Sequence, residues 1–230
     1  MKKCIVAIDG PAGSGKSTTA KLLASRLGYI YIDTGAMYRA ITLYALRKNI
    51  LSDGERICSE MRSLNLGLKI VNGENKIFLN DEDITQEIRA KNINDNVSAV
   101  STIECVRKEL VNKQRILASS GGVVMEGRDI GTVVFPDADV KIFLTASIEK
   151  RAKRRYDENL ASGKEIKYED VLKNLESRDR IDSTRVHSPL RKAVDAFEVD
   201  NSEMSIDEQV EFIKGIVQMK LGTPVTEQGL

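Results

Sequence analysis

Between an apolar run and a helical stripe near its start, the chain carries Gly10-Pro11-Ala12-Gly13-Ser14-Gly15-Lys16-Ser17, which fits the spacing G-x-x-x-x-G-K-S. Each fixed position has a physical task. The glycines let the backbone wrap close to phosphate oxygens. The inward N–H groups sit at the mouth of a helix, where the dipole favours negative charge. The Lys16 ammonium reaches the β and γ phosphates of a nucleoside triphosphate, and Ser17 offers its hydroxyl to Mg²⁺. On this reading the Lys16 side chain is exposed in the loop, so that losing it spares the fold.

The flanks supply the context that such a loop requires. Cys4 to Ile8 is a nearly continuous apolar run, the pattern of a strand buried on both faces of a parallel sheet. From Lys16 to Leu27 the positions Ala20, Leu22, Leu23, Ala24 and Leu27 form a helix stripe, closed by Gly28, and Tyr29 to Ile32 reads as a second strand. Strand, helix and strand in this order make a βαβ unit, and hence a parallel sheet with helices on both faces. Further helices are predicted over Ala36 to Arg47, Glu55 to Asn65, Asn94 to Val100 and Ile103 to Leu117. Strands follow at Gly122 to Met125 and Val140 to Leu144. Glu149 to Ala161 and Tyr168 to Ile181 are charged helices, Phe197 to Val199 is a last strand, and Ile206 to Leu221 a closing helix before a mobile tail. Leu66, Leu68 and Ile70 alternate with Gly67 and Lys69, and Asn72-Gly73 offers a turn into Lys76 to Leu79, so an antiparallel hairpin interrupts the α/β core.

With 230 residues, 41% apolar and 30% charged, the chain suits one soluble domain. A net charge of +1 argues against a nucleic-acid-binding surface. Cys4, Cys58 and Cys105 are an odd count, lie far apart, and show no Cys-x-x-Cys spacing, so reduced cytosol fits best. The apolar run at the start ends at Asp9, too short for a signal peptide, and no stretch reaches membrane-spanning length. A cytoplasmic, monomeric protein is expected.

The loop alone does not separate a kinase from a GTPase switch or a motor-like ATPase. No Asn-Lys-x-Asp stretch reads guanine; Asn112-Lys113-Gln114-Arg115 lacks the acid. The strand at Val123 to Met125 runs into Glu126-Gly127-Arg128 in place of the Asp-Glu pair of energy-transducing ATPases. Arginines gather instead at Arg128, at Arg151, Arg154 and Arg155, and at Arg178, Arg180 and Arg185. Phosphoryl transfer calls for such cations, because charge spreads over the transferring group in the transition state. A phosphate acceptor needs no general base, so the lone His187 has no assigned role.

Taken together, four segments resemble the bacterial cytidylate kinases: Ile8 to Ser17; Asp33-Thr34-Gly35-Ala36-Met37-Tyr38-Arg39; Gly127-Arg128-Asp129-Ile130-Gly131-Thr132-Val133-Val134-Phe135-Pro136; and Ser177-Arg178-Asp179-Arg180-Ile181-Asp182-Ser183-Thr184-Arg185. The resemblance implies ATP as phosphoryl donor, CMP or dCMP as acceptor, and Mg²⁺. It also implies the three-layer P-loop kinase fold, α/β with a central parallel sheet, built as one domain over 1–230. That domain comprises a core (about 1–62 and 98–230), a small antiparallel monophosphate-binding insertion (about 63–97) and a lid (about 151–165).

By the same resemblance Gly10, Pro11, Ala12, Gly13, Ser14, Gly15, Lys16, Ser17, Thr18 and Arg154 bind ATP, and Ser17 with Asp33 holds Mg²⁺. Thr34, Tyr38 and Arg39 border the monophosphate, Arg128 and Arg185 grip its phosphate, and Arg178 with Asp182 holds the sugar. Lys16, Asp33, Arg128, Arg178 and Arg185 are the implied catalytic set. Arg151, Arg154 or Arg155 swings from the lid towards ATP. Ser98, Arg107 and Asp129 read the base. A carboxylate at Asp129 suits the amino donor of cytosine and repels the oxygen that uracil carries there. Thr34 stands where many relatives carry serine. Two rivals stay open: a nucleic-acid-dependent ATPase using Lys150 to Arg155, and a nucleotide switch that hydrolyses slowly without transfer.

Overall fold

In a computed structural model, which describes residues 3–71, 74–163 and 165–222, the chain runs β1 (Ile5–Asp9), α1 (Lys16–Leu27), β2 (Ile30–Asp33), α2 (Thr34–Arg47), α3 (Gly54–Met61), β3 (Leu66–Val71), β4 (Glu74–Leu79), β5 (Glu82–Asp83), α4 (Lys91–Val100), α5 (Glu104–Leu117), β6 (Val123–Gly127), β7 (Val140–Thr145), α6 (Ile148–Ala161), α7 (Tyr168–Thr184), β8 (Phe197–Asp200) and α8 (Ile206–Lys220). A 3-10 turn occupies Glu87–Arg89 and a π-helical turn Ile130–Val134. Five strands form one parallel sheet in the order β2-β6-β1-β7-β8. The strand that feeds the phosphate loop therefore lies at its centre.

Alternation along β1 divides the core into two layers. Val6 and Ile8 pack on one face with Ala20 and Leu23 of α1 and Val210, Ile213 and Val217 of α8. Ala7 packs on the other with Val123 and Met125 of β6, Val111 of α5 and Val134. Each buried leucine or isoleucine here contributes on the order of 2 kcal/mol, which fixes which face each helix covers. α1 spans the residues predicted for it, and Gly28 closes it at φ 66°.

β3 and β4 pair antiparallel, with Leu66 opposite Leu79 and Leu68 opposite Ile77, and β5 adds a third strand that the alternation pattern does not announce. The Asn72-Gly73 turn lies outside the described residues, as does the tail beyond residue 222. The helix predicted to reach Asn65 stops at Met61. There the chain tightens into three-residue hydrogen bonds, Ser63 N–H to the Glu60 carbonyl and Leu64 N–H to that of Met61.

The cysteines correct the sequence reading. Cys58 on α3 and Cys105 on α5 are 47 residues apart in sequence, yet the packing of these helices brings their Cα atoms to 5.9 Å and the two form a disulfide. Sequence distance and the absence of a Cys-x-x-Cys spacing say nothing about which helix faces meet. No helix among the described residues is long and apolar enough to cross a membrane.

Candidate active site

The phosphate loop leaves β1 through Gly10, whose φ of 156° and whose neighbour, the Leu144 carbonyl oxygen 2.0 Å from where a Cβ would stand, leave room for no side chain. It enters α1 through Gly15, left-handed at φ 86°. Lys16 corrects the expectation of an exposed side chain, being only 4% accessible. Its ammonium folds back over its own loop, donating to the Pro11 carbonyl at 2.6 Å and to Ser14 Oγ at 3.3 Å. Burial, then the charge of Arg128, brings its pKa down from 10.5 to about 7.

Arg151 braces the loop from behind. Its guanidinium donates to the carbonyls of Ala12 and Ala146, each at 3.0 Å, and to Asp179 at 2.7 Å. It is thereby committed to the frame. Arg154 and Arg155 line the cleft instead.

A single cleft of about 950 Å³ runs from the loop to the far end of α4, and it gathers residues from all four sequence segments. Of the predicted donor-site residues, Ala12, Gly13, Gly15, Lys16, Ser17, Thr18 and Arg154 line it, while Gly10, Pro11 and Ser14 shape the loop from beneath. Every predicted acceptor residue lines it, Thr34, Tyr38, Arg39, Ser98, Arg107, Arg128, Asp129, Arg178, Asp182 and Arg185, as does Asp33, predicted for Mg²⁺.

At the acceptor end the charges are arranged in pairs. Asp33 caps α2 by accepting from Ala36 N–H at 3.0 Å and takes Arg39 at 2.8 Å. Burial alone would raise its carboxyl, but Arg39 and the cap outweigh it and hold the pKa below the usual value. Thr34 Oγ1 donates to the Glu126 carbonyl at 2.7 Å, fixing the start of α2 against β6. Arg107 pairs with Asp129, donates to the Ser101 carbonyl at 3.1 Å, and lies 5.4 Å from the Tyr38 ring centre. Arg185 stands 3.7 Å from Asp129 and 3.9 Å from Asp182.

Asp182 takes its hydrogen bond from Arg128, at 2.8 Å, and not from Arg178. Among the described residues Arg178 makes no hydrogen bond or ion pair, and its Nε is buried without a partner. Burial, then Arg128, lowers its pKa to about 10, so it stays charged at neutral pH.

Glu126 is a site residue that sequence reasoning passed over, noting it only as a departure from the Asp-Glu pattern. Its carboxylate is buried, accepts from Tyr31 Oη at 2.8 Å, and sits among Lys16, Ser17 and Asp33. Burial, then Asp33, pushes its pKa up. Its place at the carboxyl end of the strand beside β1 is the signal that could have found it, since ligands of open α/β sheets bind at that edge. The hydroxyl of Ser17 and the carboxylates of Asp33 and Glu126 are hard oxygen donors, a set that fits Mg²⁺. With no larger acidic or histidine cluster among the described residues, such an ion would keep waters and phosphate oxygens as its other ligands.

The π-helical turn after β6 is tied to β1 by Asp9, which accepts the N–H groups of Ile130 and Gly131 at 2.8 and 2.7 Å. That tie aims Asp129 into the cleft from a fixed backbone. The basic stretch of α6, by contrast, is largely neutralised: Lys150 pairs with Glu203, Arg151 with Asp179, Lys153 with Asp157 and Arg155 with Glu158. It offers no continuous track for a nucleic-acid backbone.

Comparison with known proteins agrees with this geometry. The cytidylate kinase family model matches residues 6–219. The cytidylate kinase of Fusobacterium nucleatum is 52% identical over 93% of this chain and 96% of its own length. That of Bacillus subtilis is 48% identical over 95% of this chain and 98% of its own. Among solved structures, a gluconokinase from Sinorhizobium meliloti is similar at 15% identity and a TM-score of 0.49, over 96% of this chain and 95% of its own. With a family model spanning nearly the whole chain and relatives near half identity end to end, this chain belongs to the cytidylate kinase family.

Proposed function

We propose that this chain, as a cytidylate kinase, moves the γ-phosphoryl group of ATP in line onto the phosphate of CMP or dCMP, giving ADP and CDP or dCDP. The observation that carries the reading is the meeting of Lys16, Arg128 and Arg178 where the two halves of the cleft join. Burial, then Arg128, disfavours the charge of both neighbours, and Arg178 makes no ion pair among the described residues, with Asp182 the carboxylate that offsets it. Such an excess of positive charge suits two phosphate chains arriving from opposite ends.

In this reading the loop N–H groups and Lys16 grip the β and γ phosphates, and Arg128 with Arg185 aligns the acceptor phosphate. Arg178 and Asp182 hold the sugar, with Arg178 close enough to the transferring group to spread its charge. Ser98, Arg107 and Asp129 select the base through its amino group. Ser17 and Asp33, with Glu126 beside them, would hold Mg²⁺, which would neutralise phosphate charge when bound. The acceptor dianion attacks without a general base. The segment 63–97 closes over the nucleoside and the segment 151–165 over ATP, excluding the water that would otherwise compete as acceptor. We place the working protein in the cytoplasm, as a monomer.

The test is ADP formation from Mg-ATP with CMP, dCMP, UMP, AMP and GMP offered separately against a control lacking acceptor. Turnover on CMP and dCMP, weak on UMP and near background on the purines, is the expected pattern. Equal background rates with every acceptor would reject it.

A further inference from the structure

Behind the phosphate loop a wholly buried amide does more than fill space. Asn201 follows β8 directly and is 0% exposed. Its side chain Nδ2 donates to the Ser14 carbonyl at 2.9 Å and also to Gln209 Oε1. Its Oδ1 accepts from Arg154 Nη1 at 3.0 Å, and its main-chain carbonyl accepts from Arg154 Nη2 at 2.8 Å. Gln209 passes the connection to Thr19 Oγ1, which itself donates to the Gly15 carbonyl at 2.9 Å. The amide has one chemically permitted orientation. Flipped, it would set N–H groups against the guanidinium and its oxygen against the Ser14 carbonyl.

One residue therefore joins the phosphate loop to Arg154, one of the two arginines of α6 that line the cleft. The character of that second contact matters. Arg154 is held by two neutral acceptors and, among the described residues, makes no ion pair with a carboxylate, unlike Arg151 and Arg155 beside it. A phosphate oxygen carries the charge opposite to the guanidinium and an amide oxygen does not, so the bond to phosphate is the stronger of the two. Asn201 thus keeps the guanidinium in place without neutralising it, and phosphate oxygens win the exchange.

We propose that Asn201 is a positioning residue of the donor site: it fixes the loop through Ser14 and holds Arg154 in a releasable parking contact until a triphosphate takes it. This rests on the reading that Arg154 reaches ATP. The discriminating change is Asn201→Asp, which turns the neutral side-chain acceptor into a charged one and so pins Arg154, whereas Asn201→Ala removes that acceptor and leaves Arg154 only the main-chain carbonyl. Both variants lose the bond to Ser14, and Asn201→Asp also sets a carboxylate oxygen against that carbonyl, so the hold on Arg154 is isolated only by comparing each variant with and without Arg154.

The experiment measures kcat and KM for ATP and for CMP, with melting temperature, for the full chain carrying N201A or N201D, each with Arg154 intact and with Arg154→Ala. The expected result has KM for ATP rising at least about tenfold further in N201D than in N201A, with KM for CMP unmoved, and that excess vanishing when Arg154 is alanine. Equal effects of N201A and N201D, an excess that persists without Arg154, or KM for both substrates rising in step with a lost melting temperature would overturn the latch. If R154A alone leaves KM for ATP unchanged, the placement of Arg154 at ATP fails first, and the latch falls with it.

Discussion

Arg107 on α5 and Asp129 on the turn after β6 form an ion pair sealed from solvent, with their side chains 4% and 6% exposed. Tyr38 lies under the guanidinium and Arg185 stands behind the carboxylate. Two formal charges this deeply buried carry a desolvation cost of several kcal/mol each, which their mutual attraction only partly returns. A structural role alone would be met as well by apolar residues of the same size. In the proposed function, a pair kept rigid at one end of a nucleotide-sized cleft is instead preorganised to meet polar edges of a base.

Asp129→Asn keeps the volume and one acceptor oxygen but removes the charge and adds a donor. We expect the ratio of kcat/KM for CMP over UMP to fall by about tenfold to a hundredfold, the size of one directed base contact. Arg107 and Arg185 lose their shared anion, so a drop in melting temperature accompanies it; Asp129→Ala, which leaves both guanidiniums unanswered, costs more. A folded D129N protein with unchanged selectivity would remove Asp129 from base reading.

Lys16 carries a pH prediction whose sign follows from its burial. Free, it titrates at about 7, lowered from 10.5. The negative charge of a bound triphosphate favours the ammonium and raises that value. Between the two values, binding must take up a proton, so ATP affinity is full below pH 7 and weakens by up to about tenfold per pH unit above it. Calorimetry at pH 8 in buffers of contrasting ionisation enthalpy reads the uptake directly. Lys16→Met should abolish it and lower transfer by about a hundredfold to a thousandfold. Proton uptake that survives in K16M would assign the linkage to another group.

The Cys58–Cys105 bridge closes a long loop, and in the chain-entropy view a loop of this length contributes up to about 4 kcal/mol by restricting the unfolded state. Neither cysteine lines the cleft. Replacing both by alanine should lower the melting temperature by about 10 °C while leaving kcat at 25 °C close to the parent. The same shift on adding dithiothreitol to the parent, absent in the double variant, ties the loss to the bridge. A melting temperature indifferent to reductant would show that the bridge contributes nothing in solution.

What the sequence made legible divides along physical lines. The βαβ unit is local: α1 needs only its own stripe and Gly28, and its predicted limits match the structure. The gathering of four distant segments into one cleft was legible through resemblance, because each carries chemistry in a fixed order. The buried Lys16 was not, since its position depends on carbonyls that only the folded loop presents. Nor was the π-helical turn, whose geometry is imposed by the Asp9 carboxylate from more than a hundred residues away. Glu126 and the cysteine pair were hidden for the same reason. Their meaning lies in which strand neighbours β1 and which helix faces meet, relations that no local pattern encodes.

Arg178 gives the sharpest separation of stability from function. With no hydrogen bond or ion pair among the described residues, and with burial and then Arg128 lowering its pKa to about 10, its charge destabilises the free protein. Strain of this kind persists where activity needs it. Arg178→Met keeps most of the stem and removes the charge, so the melting temperature should hold or rise while kcat/KM falls by about a hundredfold or more. Thermal melts and initial rates on one preparation decide the matter. A variant that loses stability and activity together would make Arg178 part of the frame, leaving Arg128 and Lys16 to carry the transferring charge alone.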